Sequence, residues 1–535
     1  MLKQNVGYSL LVKAQLCQLG FIVPANDWHI ICFGNRKSSL LASMSIAHFK
    51  LLSFHGKTKI LHMSWLAFFI SFVIWFNHAP LLMLIQQDLA ISDADIETIL
   101  LLNVALAIPA RVITGLLVDR FGARITFSVL LAVCSVPCFL FAAADSFAEL
   151  AWSRFLLGFI GASFVVGVRI IGDWFPSSQM GLAEGIYAGW GNFGSAVVAI
   201  TLPGLALFLG EENGWRYAVA LTGLLALLFS VLYYRNVEDL PPELASLKTK
   251  RERSMEVSSI NDLFLYMLSL LPLYGSLSLL VWKLASLSKP LLMTHWVAVL
   301  HVAIWVIYLW HARQLVVTNA IRLSQPIPAI HQYRYQQVFI LAIAYLVTFG
   351  SKLAVLSMLP LYFFNTFSAS QNIGMLDAGL LASSFVITNV IARPAGGWMS
   401  DKLGRKRSII IFVTGLAVGY AAMAMISADW SLSLAVLVTL FCSIFMQAAE
   451  GAIFALVPLV RRAITGEVAG IVGAYGNAGA IIFLIVLTFL PANGFFLMLA
   501  ICCVLLLGLV VYLEEPKSVM NQILPDGTVI SIELE

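Results

Sequence analysis

Ala110-Arg111-x3-Gly115-x3-Asp119-Arg120-x-Gly122 and Ala392-Arg393-x3-Gly397-x3-Asp401-Lys402-x-Gly404 are one pattern written twice. The same offset, 282 residues, separates Arg111 from Arg393 and Asp119 from Asp401. A second pair keeps nearly that spacing. Gly189-Trp190-Gly191-Asn192-Phe193-Gly194 parallels Ala474-Tyr475-Gly476-Asn477-Ala478-Gly479, with the asparagines 285 residues apart. Two matched pairs at nearly one offset mark an internal duplication. In the first pattern glycine permits close helix approach (Gly115, Gly397) and a tight turn (Gly122, Gly404). Asp119 and Asp401 can cap helices or pair with basic neighbours such as Arg120 and Lys402.

Around these repeats the chain is apolar. Of 535 residues, 60% are hydrophobic and 11% charged, against about 25% charged in soluble domains. Runs of roughly 20 apolar residues suffice to cross a bilayer as a helix. Such runs lie near 61–86, 97–118, 125–144, 147–171, 182–209 and 215–234, then 263–287 and 291–311, then 337–363, 376–400, 408–427, 431–459, 468–491 and 495–513. The count is six, two, six. This predicts an all-α polytopic membrane protein of about 14 spans. It has an N-terminal segment 1–60, a six-helix half 61–234, a linker 235–335 with two inserted helices, a second half 336–513 and a tail 514–535. Tyr8 to Val23 is interrupted by Lys13 and Gln15 and makes a poor signal sequence; Met44 is an alternative start. A duplicated six-helix unit with its substrate near the membrane midplane is the plan of the major facilitator fold.

Basic clusters set the orientation. They fall at Lys50, Lys57 and Lys59, at Arg120 and Arg124, from Lys248 to Arg253, at Arg313, Arg322 and Arg334, from Lys402 to Arg407, and at Arg461 and Arg462. All share one side if every span crosses. Acids mark the other: Asp88, Asp93, Asp95 and Glu97, then Glu211 and Glu212. Both termini are therefore expected in the cytoplasm, in a cell membrane. The net charge of +4 is small and the basic residues fall in short clusters between apolar runs, so no nucleic acid is expected. Seven cysteines show no metal spacing, and no nucleophile elbow or phosphate loop appears. No cofactor, metal or enzyme activity is expected, and the working unit is expected to be a monomer in lipid.

The two arginines carry the chemistry. Each lies eight residues before its loop aspartate, about 12 Å along a helix, in a core about 30 Å thick. A central arginine costs at least ~2.5–3.5 kcal/mol on insertion scales, and two facing one cavity repel. Available acids are few. Asp173 follows Arg169 by four residues and is expected to pair locally. Glu184 is expected near a membrane face. Glu450 is deep, but one acid cannot cancel two arginines. A small anion is thus expected between Arg111 and Arg393, whose forked donors suit planar oxyanions. Asn192 and Asn477 either bond between helices or touch the substrate. For Gly189, Gly191, Gly194, Gly476 and Gly479 close packing is expected.

Arginines in the second span of each half, with Gly-Asn-x-Gly stretches in the fifth, resemble the nitrate/nitrite porter family of the major facilitator superfamily. The likeness covers roughly residues 60–513 apart from the insert, and Leu61-His62-Met63-Ser64-Trp65 through Trp75-Phe76-Asn77 resembles the first span of bacterial members. The resemblance implies nitrate or nitrite held between Arg111 and Arg393 and carried by alternating access. It also implies an aromatic pair around the anion. Gly161-Ala162-Ser163-Phe164 and Tyr345-Leu346-Val347-Thr348-Phe349-Gly350 assign that pair to Phe164 and Tyr345. Three features depart from the family: Gly194-Ser195-Ala196 has less glycine, Lys352 lies inside a span, and two helices are inserted. Lys352 adds positive potential, pairs with Glu450, or snorkels. Inward transport of an anion costs ~2.3 kcal/mol per 100 mV, so it needs a counter-anion or a proton; Glu450 and His78 are the candidate proton carriers. The rival reading is a carrier for another small anion, such as formate or oxalate.

Overall fold

The computed structural model describes residue 51 and residues 53–210, 213–241, 256–286, 293–324, 333–515, 519–523 and 529–533. The start at Met44, the acids Glu211 and Glu212 and the basic run Lys248 to Arg253 lie outside the described residues, as do the side chains of Asp93, Glu97 and Arg322. The functional centre falls wholly within the compact unit Lys59–Glu535.

Among the described residues, fourteen helices are long and apolar enough to cross a membrane. In chain order they are α1 (Gly56–Leu89), α2 (Thr98–Phe121), α3 (Ala123–Ala142), α4 (Phe147–Trp174), α5 (Ser177–Leu209), α6 (Gly214–Asn236), α7 (Ile260–Ala285), α8 (Thr294–Ala320), α9 (Tyr335–Gln371), α10 (Asp377–Leu403), α11 (Arg405–Ala424), α12 (Leu432–Val460), α13 (Arg462–Leu487) and α14 (Ala492–Val510). Each span expected from hydropathy has its helix. Among the described residues the departure from an all-helical chain is an antiparallel hairpin in the tail, β1 (Val519–Ile523) with β2 (Val529–Glu533). Ahead of it, Glu515 accepts from the Arg405 and Lys406 amides and so caps α11.

The duplication has a structural counterpart in two helix breaks. Regular helix stops at Ala105 and resumes at Ala107 in α2; it stops at Ile387 and resumes at Asn389 in α10. Leu106 and Thr388 thus stand at the repeat offset. Each break is followed within six residues by a proline, Pro109 or Pro394, that removes one backbone donor. Each arginine comes five residues after its break.

The halves meet where the fifth helix of one packs along the second of the other: α5 on α10 and α13 on α2. At the end bearing the basic loops these contacts are backbone to backbone. A Cβ on Gly397 would overlap the Gly181 carbonyl, and one on Gly115 the Gly466 carbonyl. The loop aspartates seal the same end. Asp119 accepts from the Gly466 and Glu467 amides at 3.0 and 2.8 Å. Asp401 accepts from the Gly181 and Leu182 amides, both at 2.9 Å. Each aspartate therefore caps the facing helix of the other half, and each also pairs with an arginine, Arg169 or Arg405. Arg169 holds Asp173 as well. The basic-loop end is closed. A branched side chain cannot fit here. Gly397→Val is expected to hold this end apart, raising maleimide labelling of a cysteine placed near Gly181 and lowering turnover more than tenfold.

The inserted helices differ from one another. α7 packs on α13 and α9 through buried polar bonds: Tyr475 donates to the Ser269 carbonyl, Tyr266 to Glu467, and Ser269 bonds the Tyr335 hydroxyl at 2.8 Å. α8 packs on α7 and keeps its apolar face, including Trp296, Trp305 and Trp310, outward.

Candidate functional site

Arg111 and Arg393 are 2% and 1% exposed. Arg111 donates from Nε to the Gly161 carbonyl at 3.0 Å and from Nη1 to the Gly473 carbonyl at 2.5 Å. The first acceptor exists because α4 tightens into a 3-10 turn at Gly158–Ala162, turning a carbonyl out of the helix ladder. The second belongs to the other half. No carboxylate pairs with Arg111 among the described residues.

Arg393 is held differently, and here the expectation that both arginines lack a permanent counter-charge is corrected. Its Nη1 meets Glu450 Oε2 at 2.5 Å, and Lys352 Nζ reaches the same oxygen at 3.1 Å. Lys352 also donates to Gln447 at 2.9 Å. Lys352 therefore pairs inward and does not snorkel. Glu450 is wholly buried and shares one oxygen between two cations, while its Oε1 has no hydrogen-bond partner. Arg393 Nε and Nη2 also have none.

The two guanidiniums converge on one ring. The Arg111 and Arg393 Cζ atoms lie 5.7 and 5.5 Å from the Phe164 centroid. They are thus no farther apart than the sum of those distances. The Phe164 and Tyr345 rings are nearly parallel, 7° apart in tilt with centroids at 6.3 Å. Phe454 closes the side of both, edge-on at 4.5 and 4.7 Å. Phe349 stacks on Tyr345 and lies under Arg111 at 5.3 Å and Lys352 at 5.4 Å.

Amides without a hydrogen-bond partner lie on the helices that build this centre. Asn477, one turn beyond Gly473, has neither side-chain atom bonded; nor has Asn389, one turn before Arg393, and the Gln447 amide nitrogen is free as well. Asn192 is 6% exposed. The glycines of the repeat serve packing. Gly191 lies against Phe68, Gly194 against the Phe69 carbonyl, Gly189 against the Asn389 carbonyl and Pro394, Gly476 against the Tyr345 and Phe349 rings, and Gly479 against Leu346. A Cβ at Gly476 would displace the Tyr345 ring.

Glu184 is 1% exposed and neither oxygen has a hydrogen-bond partner. His78 is buried apart from the arginine pair, with the wholly buried Arg154. Arg154 donates to the Trp75 carbonyl and to Asn77 and lies over Phe141.

A buried, donor-rich centre between two six-helix repeats is the pattern of a major facilitator. The family model "Major Facilitator Superfamily" matches residues 64–482 and 341–528. The chain is 43% identical over 481 residues to the nitrate/nitrite transporter NrtP of Picosynechococcus sp., covering 83% of this chain and 88% of that one. It is 37% identical to the nitrate/nitrite transporter NrtP of Nostoc punctiforme, covering 88% and 95%. The chain belongs to the nitrate/nitrite porter family of the major facilitator superfamily. Its fold matches the crystal structure of the human organic anion transporter MFSD10 with a TM-score of 0.57 at 14% identity, over 85% of this porter and 99% of that chain. The porter is a secondary transporter, not an enzyme.

Sequence reasoning missed Asn389, Phe454, Gln447 and Arg154. Asn389 had a signal: it precedes Arg393 by four residues and shares its helix face. Phe454 had none, being one phenylalanine among many.

Proposed function

We propose that this porter carries nitrate and nitrite across the cell membrane, with both termini cytoplasmic, by alternating access around an anion held between Arg111 and Arg393. The observation that carries this reading is two buried guanidiniums on one phenyl ring, one bonded to two carbonyls and the other with two unengaged nitrogens. Forked donors match a planar trigonal oxyanion. Asn477 and Asn192 supply neutral donors, and Phe164 and Tyr345 supply parallel faces. The relatives named nitrate/nitrite transporters support the same substrates.

The closed basic-loop end corresponds to the outward-facing half of the cycle. Anion entering from outside meets the free side of Arg393, Nε and Nη2, while Nη1 and Lys352 keep Glu450 neutralised. The cytoplasmic end then opens by parting Gly181 from Gly397 and Gly115 from Gly466.

Counterflow in proteoliposomes tests the substrate. Labelled nitrate is expected to exchange against internal nitrate and nitrite, saturably and with mutual competition. A tenfold excess of formate or oxalate is expected to leave the rate unchanged. Equal competition by formate would transfer the centre to the rival class of anions.

A further inference from the structure

Glu184 is a buried acid beside Arg393 that anion binding does not use. It sits on α5, four residues past Met180, and is 1% exposed with both carboxylate oxygens unbonded. Its neighbour Gly185 lies against the Arg393 carbonyl and Pro394. Arg393 faces it from α10, and Tyr187 from its own helix, with Tyr233 of α6 beyond. Glu450 of α12 is taken by Arg393 and Lys352. Asp401 and Arg405 pair with each other one turn nearer the basic end. Tyr187 donates to the carbonyls of Ser163 and Phe164 and offers Glu184 nothing.

We propose that Glu184 is the site of a co-transported proton, a reading that rests on the anion site above. An ionised carboxylate with no donor in a dry interior is strongly disfavoured; a protonated one is tolerated. Arg393 is the nearby charge that favours ionisation. A nitrate ion on Arg393 offsets that field, so anion and proton bind together. The gate enforces release. Asp401 holds the Gly181 and Leu182 amides one turn from Glu184, so the contact that closes the cytoplasmic end also keeps water from this carboxyl. Opening that end hydrates Glu184, and the proton leaves to the cytoplasm as the anion does. One proton with each nitrate cancels the charge moved against an inside-negative potential.

The test uses the full chain in proteoliposomes with a trapped pH dye. Wild type is expected to acidify the lumen when nitrate enters and to accumulate nitrate when the lumen is alkaline. Glu184→Gln mimics the neutral acid. It is expected to keep nitrate counterflow within threefold of wild type, which also reports folding, while nitrate-driven acidification and pH-driven accumulation fall more than tenfold. Retention of both proton readouts in Glu184→Gln overturns the proposal, and so does their absence in wild type that still performs counterflow. Failure of wild-type counterflow would instead strike the anion site itself. Should Glu184→Gln not assemble, a hydrophobic carbodiimide, which attacks protonated carboxyls in apolar surroundings, decides the matter on wild type. A peptide modified at Glu184 at neutral pH supports the site, and its absence alongside modification elsewhere in the spans overturns it.

Discussion

Arg393→Lys is expected to lower nitrate transport about 10- to 100-fold while leaving the protein folded in the membrane. The charge survives this substitution; the geometry does not. Arg393 gives Nη1 to Glu450 and keeps Nε and Nη2 unengaged. A lysine ammonium can hold the carboxylate or the incoming anion, but it cannot present a flat fork to both. One lost charge-assisted hydrogen bond is worth about 1.5–3 kcal/mol, a factor of roughly 10 to 100 in affinity. Folding is protected because Lys352 still pairs with Glu450 at 3.1 Å. The measurement is initial nitrate counterflow rate and nitrate affinity on purified protein of unchanged monodispersity. Near-normal rates in this variant would remove the two-arginine mechanism. Arg111→Lys is expected to lose as much by another route, since its anchors are the Gly161 and Gly473 carbonyls at a fixed angle.

The repeat was legible in the sequence because a duplicated fold keeps its spacing. One offset links Arg111 with Arg393, Asp119 with Asp401 and, in the structure, the breaks at Leu106 and Thr388. The span count was legible because the bilayer demands long apolar runs. The charge pattern at the centre was only half legible. Glu450, Lys352 and Arg393 come from three helices, α12, α9 and α10, and nothing local says that one carboxylate oxygen will meet two cations. The dryness of Glu184 was not legible, because the Asp401 cap on the Gly181 and Leu182 amides, two and three residues away, comes from the other half. Arg154 was overlooked because it has no twin in the other half. His78 was named from its type and depth, but its charged neighbour is Arg154 and not the arginine pair.

Glu450→Gln should expose how the empty carrier tolerates its own charge. Arg111, Arg393 and Lys352 put three cations in a dry centre, and Glu450 is the acid bonded to two of them. Removing one partner of a buried pair costs about 3–5 kcal/mol, because the other charge stays buried. The anion-free variant is therefore expected to melt well below wild type. Nitrate returns a negative charge to the same place. Its stabilisation follows the usual saturation law, about 2.7 kcal/mol at a hundred times Kd, and the variant's larger positive field should lower Kd. The nitrate-induced rise in melting temperature is thus expected to be larger in Glu450→Gln than in wild type. Transport should split accordingly. Counterflow needs only the loaded carrier to reorient and should persist. Net uptake needs the empty carrier to return, with its arginines brought together and no anion between them, and should fall at least tenfold. Lys352→Met added to Glu450→Gln removes the stranded ammonium and is expected to recover part of the lost stability, a non-additivity of the kind neighbouring charges show. Equal stability of single and double variants, with no enhanced response to nitrate, would mean that Glu450 does not act as the resident anion of the empty site.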